Sequence, residues 1–155
     1  MRPDFIEVAP EDTLGEVAER MNRQNVGAVA VKDSGRLIGI LTERDLLKAM
    51  AARVHSSEAR VRQWMTGDPV TASADTDVDE AARVMLEHGF RHLPVLDDNG
   101  RVVGIVSLRR VVSAAQAARA SSGCGAATRA TASATWRISS ATRAGWSRAI
   151  EATTF

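Results

Sequence analysis

The chain has 155 residues, 45% of them hydrophobic, which is enough for one ordinary core and too little for several. Its 20 lysines and arginines nearly balance 19 aspartates and glutamates, so the formal net charge of +1 supplies no long-range attraction for nucleic acid or an acidic membrane. The single cysteine, Cys124, has no partner at a disulfide or metal-ligand spacing, which fits a reducing compartment.

At the amino end, Asp4 and Glu7 stand where a signal peptide would carry its apolar core, and no apolar run approaches the ~20 residues that span a bilayer. A soluble, cytoplasmic protein is expected. Phe5, Ile6 and Val8 suggest a short first strand, closed by Ala9-Pro10. Thr13-Leu-Gly-Glu16 then has the form of a capping box, and Leu14, Val17, Ala18 and Met21 fall on one face of the helix it opens. Ala28 to Val31, a turn at Asp33-Ser34-Gly35 and Leu37 to Leu41 read as a hairpin. Thr42 can cap a following helix whose apolar face carries Leu46, Leu47, Met50 and Val54. Residues 56–66 form a connector, with a short packed helix around Val61, Trp64 and Met65.

The pattern is then written a second time. Val70 and Ala72 match Ile6 and Val8, Asp77 to Glu80 repeats the capping signal, and Val78, Ala81, Ala82 and Met85 repeat the helix face at an offset of 64 residues. A hairpin follows as His92 to Leu96, a turn at Asp98-Asn99-Gly100, and Val102 to Val106; one inserted residue moves Gly39 onto Gly104 at an offset of 65. Gly39 and Gly104 are both expected to mark close packing within their strands. From about Ala120 the composition turns to Ser, Thr, Ala and Arg, with Trp136 and Trp146 isolated, and reads as a flexible tail or an out-of-frame product.

Two features make the repeat specific. Gly39-Ile-Leu-Thr-Glu-Arg-Asp45 has the form Gly-hydrophobic-hydrophobic-Thr/Ser-x-x-Asp, and Phe90-Arg-His-Leu-Pro94 the form hydrophobic-x-x-Leu-Pro. With both hairpins, they make residues 4 to 120 resemble a tandem pair of CBS (cystathionine-beta-synthase) domains, a Bateman module. The resemblance implies an α/β fold of the α+β type, two β-α-β-β-α units packed sheet to sheet about a pseudo-twofold axis. The first repeat is set at 4–55, the connector at 56–66, the second repeat at 67–120 and the tail at 121–155. It further implies clefts between the repeats that hold AMP, ADP, ATP or S-adenosylmethionine, and a homodimer. Apolar helix faces around Leu46, Leu47, Met50, Val111 and Val112 are expected to form that dimer.

By the same resemblance, Thr42 and Asp45 read ribose and phosphate, while Met65, Thr66, Asp68, Val70 and the backbone near Phe90 line the adenine. Arg44, Arg91 and His92 reach phosphates, and Pro94 completes the set. The chemistry agrees: an ionised Asp45 in a solvent-facing cleft is acceptor-only and can take both hydroxyl protons of a ribose diol, and Thr42 Oγ with the first helical N–H groups suits a phosphate. A second, degenerate cleft would hold Ser107 and Arg110, where a guanidinium with five donors and no acceptor replaces the carboxylate.

Blander accounts stand beside these. Thr42 and Asp45 also make a capping box that needs no ligand. Arg44 and Arg91 can be solvated charges. His88 and His92 are four apart, but Gly89 and Pro94 place a helix end between them, and no other ligand stands at matching spacing, so no metal is expected. No nucleophile comes with a base and an orienting acid, and no Walker-type loop is present, so no enzyme is expected. The reading is a non-enzymatic sensor of an adenosine-containing ligand. The alternative is a ligand-free dimer acting as a protein-interaction module. Nucleic-acid binding through the Arg-containing tail gains nothing from the balanced charge.

Overall fold

A computed structural model describes residues 5–73 and 75–121. The tail reading, with Cys124, Trp136 and Trp146, lies outside the described residues. The described residues divide into two compact units, one holding residues up to Pro69 with Leu96–Ile105, the other holding those between Val70 and Val95 and those from Val106 onward.

In the first repeat the order is β1 (Ile6–Val8), α1 (Leu14–Gln24), β2 (Ala28–Asp33), β3 (Arg36–Thr42) and α2 (Glu43–Ala51), followed by α3 (Val61–Trp64) and β4 (Thr66–Gly67). The second repeat runs β5 (Ala72–Ser73), α4 (Val78–His88), β6 (His92–Leu96), β7 (Val102–Ser107) and α5 (Leu108–Ser121). The expected β-α-β-β-α pattern is therefore present twice.

Local chemistry accounts for the element ends. The Glu16 N–H donates to Thr13 Oγ at 3.3 Å, and Glu16 Oε2 accepts from the Thr13 N–H at 3.2 Å and its hydroxyl at 2.8 Å, completing the capping box of α1. At the start of α4, Asp77 Oδ1 accepts from the Asp79 N–H at 2.8 Å, and the helix stops at Gly89, whose φ of 71° is left-handed. That stop puts His88 on the helix and His92 on β6, as the sequence predicts. Ser34 and Gly35 turn β2 into β3 with φ of 49° and 82°.

The first sheet has the order β1-β2-β3-β4, with β1 parallel to β2 and the remaining pairs antiparallel. The second has the order β5-β6-β7. Leu14, Val17 and Met21 from α1 pack with Val29, Val31 and Leu41 from the first sheet, and Ala49, Ala59 and Val61 close that core. In the second unit Ala81 and Met85, the repeat equivalents of Val17 and Met21, pack with Ala72, Leu93 and Val111.

The connector is fastened to the first repeat by its backbone. Ala59 O and Ser56 O accept from the N–H groups of Leu14 and Gly15, both at 2.9 Å, which satisfies donors that the first turn of α1 leaves over. Val61 and Arg62 in turn donate to Asp12 O and Pro10 O, both at 3.0 Å.

The fold departs from the sequence-based expectation at four places. The sequence showed no strand at Thr66–Gly67, yet these residues pair with β3, and the Asp68 N–H donates to Ile38 O at 3.2 Å. The single apolar face read on α2 splits: Leu46 packs on the core, Leu47 is 64% and Met50 73% exposed, and Val54 lies beyond the helix, which ends at Ala51 before Arg53 turns left-handed with a φ of 57°. Val111, expected on an association surface, is 4% exposed and belongs to the second core. Gly39 is closely packed as expected, but Gly104 is not: a side chain there would meet no described atom within 4 Å.

Candidate functional site

The junction of β3 and α2 is built from a strand that ends in a hydroxyl and a helix that begins with acids. Thr42 pairs with Ala28 at the end of β3, and the Glu43 N–H donates to Gly27 O at 3.1 Å, which fixes where the strand ends. One turn further on, Asp45 Oδ2 accepts from the Thr42 N–H at 3.0 Å and from its hydroxyl at 2.7 Å. Asp45 Oδ1 accepts from Lys48 Nζ at 3.3 Å. Asp45 is 5% exposed, whereas Thr42 is half-buried and Arg44 is exposed.

The solvent-facing carboxylate expected from the sequence is thus a buried one. The reason is its position three residues after Thr42, which turns it back onto the strand end instead of outward. Lys48 was missed by sequence reasoning, although its spacing of three from Asp45 on a helix was a readable signal.

Strand β4 brings part of the expected adenine-lining set to the same junction. Gly39 pairs with Gly67 and Ile40 with Thr66, so the antiparallel segment Met65–Thr66 runs beside the last residues before Thr42. Gly39 makes this approach possible: a Cβ there would stand 2.6 Å from Met65 Sδ and 2.9 Å from Thr66 O. Met65 is half-buried against the first core, while Thr66 and Asp68 are exposed. Asp68 holds a left-handed φ of 44° as the chain leaves β4.

The remaining expected residues lie in the second unit. Val70 packs against its core, and Phe90 does likewise while stacking on His88 with ring centroids 6.2 Å apart. Arg91 is exposed, His92 is half-buried at the start of β6, and Pro94 is fully buried.

The second junction repeats the backbone of the first without its carboxylate. The Leu108 N–H donates to Arg91 O at 2.8 Å, as Glu43 does to Gly27. The Arg110 N–H donates to Ser107 Oγ at 3.4 Å, so the hydroxyl caps the helix start, and an exposed arginine takes the sequence position that Asp45 holds in the first copy. A shallow depression on the first unit is lined by Val54, His55, Glu58, Ala59, Gln63 and Trp64, none of them an expected ligand residue. Among the described residues no helix is long and apolar enough to cross a membrane.

Comparison with known proteins agrees with this repeat. The CBS domain family matches at residues 1–52 and again at 61–117. An uncharacterised 17.7 kDa protein of Acidianus ambivalens is 42% identical over 108 residues, covering 69% of this chain and 65% of its own length, so the match spans a little less than two thirds of that relative. The CBS domain pair of MJ0100, solved in complex with 5′-methylthioadenosine and S-adenosyl-L-methionine, superposes with a TM-score of 0.66 at 29% identity, covering 74% of this chain and 93% of that one. CBSX2, solved in complex with AMP, gives a TM-score of 0.63 at 28% identity, covering 76% and 92%. With both repeats matched in sequence and in fold, the chain belongs to the CBS-domain family and carries two CBS repeats in tandem.

Proposed function

We propose that this protein is a non-enzymatic sensor that binds an adenosine-containing ligand at the β3–α2 junction, with Asp45 reading the ribose, Thr42 and the helix start facing a phosphate, and Met65 and Thr66 beside the base. One observation carries the reading: the pairing of β4 with β3 draws Met65–Thr66 alongside the strand end that leads into Thr42 and Asp45. Similar CBS pairs solved with AMP and with S-adenosyl-L-methionine support the ligand class. Sensing then requires that the ligand favour one arrangement of the protein over another.

A thermal-shift panel of AMP, ADP, ATP, S-adenosylmethionine and NADH tests it. A ligand at 100 times its dissociation constant stabilises the fold by about 2.7 kcal/mol. No shift with any of them overturns the reading and favours the second one, a protein-interaction module. That alternative rests on the exposed Leu47 and Met50 of α2.

A further inference from the structure

We propose that Lys48 is the competitor that a ribose must displace from Asp45, and that it thereby sets the affinity of the site. This inference rests on the adenosine reading above and adds a residue to it.

An ionised carboxylate offers roughly four lone-pair sites, two on each oxygen. Both sites of Asp45 Oδ2 are taken by Thr42, through its backbone N–H at 3.0 Å and its hydroxyl at 2.7 Å. These bonds hold the first turn of α2 against the end of β3, so releasing them would undo the helix start. A vicinal diol donates two hydrogen bonds, and both must therefore go to Oδ1. Lys48 Nζ already occupies that oxygen, at 3.3 Å.

Of the three bonds on this carboxylate the lysine bond is the longest, and its donor is the most easily released. The Lys48 side chain is 64% exposed and that of Asp45 only 7%, so the ammonium can return to water while the carboxylate stays in place. Ribose binding then exchanges one ion pair for two hydrogen bonds to a charged acceptor. The exchange is favourable overall but smaller than it would be if Oδ1 were empty.

The test uses uncharged adenosine, so that attraction between Lys48 and a phosphate does not enter. Calorimetry on wild-type protein, Lys48→Met and Lys48→Arg should show Lys48→Met binding adenosine about twofold to fivefold more tightly, the factor for an ion pair with an exposed partner. Lys48→Arg, which keeps the pair, should match wild type. 2′-Deoxyadenosine has one ring hydroxyl fewer and needs no second site on Oδ1, so Lys48→Met should leave its affinity unchanged. Equal or weaker adenosine binding in Lys48→Met overturns the inference. So does AMP binding with no adenosine binding in either protein, since a displaced ion pair would then not govern affinity. If wild-type protein binds neither AMP, ADP, ATP nor adenosine, the ligand reading itself fails, which is a separate result.

Discussion

Asp45 accepts hydrogen bonds from both the backbone N–H and the hydroxyl of Thr42, at 3.0 and 2.7 Å, while only 5% of the residue is exposed. The same spacing of Thr and acid occurs at Thr13 and Glu16, where the box is exposed. Burial separates the two. At Thr13 the acid only starts a helix, and at Thr42 it ties a helix start into the core beneath the candidate site.

Asp45→Ala should therefore cost stability as well as affinity. It removes the acceptor of two Thr42 donors in a site sheltered from water, for a loss of roughly 1–3 kcal/mol. Urea unfolding with an unchanged slope measures this directly. Ligand affinity, measured where the variant is fully folded, should fall by about 1.5–3 kcal/mol, as for hydrogen bonds to a charged group. A variant as stable as wild type would contradict the buried cap, and one that still binds normally would move the site elsewhere.

The two strand glycines should respond differently to alanine. A Cβ at Gly39 meets Met65 Sδ at 2.6 Å and the Thr66 carbonyl at 2.9 Å, and the carbonyl can move only with β4. Gly39→Ala should cost about 1–3 kcal/mol, as overpacking does. Gly104→Ala meets no described atom within 4 Å and should stay within about 0.5 kcal/mol of wild type. Denaturation midpoints of the pair, compared under one set of conditions, decide the point.

Acid should weaken the start of α1. The Thr13 hydroxyl first, then the Thr13 N–H, hold the Glu16 carboxyl below its usual range. A carboxyl whose folded value lies below its unfolded one adds stability in full above the unfolded value, near pH 4, and loses it as pH falls through the folded value. Between neutral pH and that acidic range, Glu16→Gln should lose less stability than wild type. An identical acid response in the two proteins would show that the box does not report on ionisation.

Self-association should involve the outer face of α2. Leu47 and Met50 are 64% and 73% exposed and stand three residues apart on α2, which places them on one side of the helix. A symmetric dimer would cover them. Sedimentation at micromolar concentration should show a dimer, and Leu47→Ser with Met50→Ser should shift it toward monomer. A wild-type protein that is monomeric at that concentration would rule the interface out.

Nucleotide stoichiometry should be one per chain. At the second junction Ser107 Oγ caps the helix without help from a carboxylate, and Arg110 has no acceptor to offer a ribose. Calorimetric titration giving two adenosine ligands per chain would overturn this.

The sequence determined the elements whose causes are local. Thr13 with Glu16, and Thr42 with Asp45, name helix starts because capping is settled within four residues. Gly35 and Gly89 name a turn and a helix end because a residue without a Cβ takes a positive φ at no steric cost. The offset of 64 residues between Met21 and Met85 exposed the duplication, since equivalent residues fill equivalent cores. Tertiary structure decided what depends on partners distant along the chain. Strand β4 has two residues and no alternating pattern; it exists because Gly39 leaves room for Met65 and Thr66 to approach. The burial of Asp45, the outward turn of Leu47 and Met50, and the inward turn of Val111 depend on which face of a helix meets a sheet. Periodicity groups residues on a face, but only packing decides which side of it water reaches.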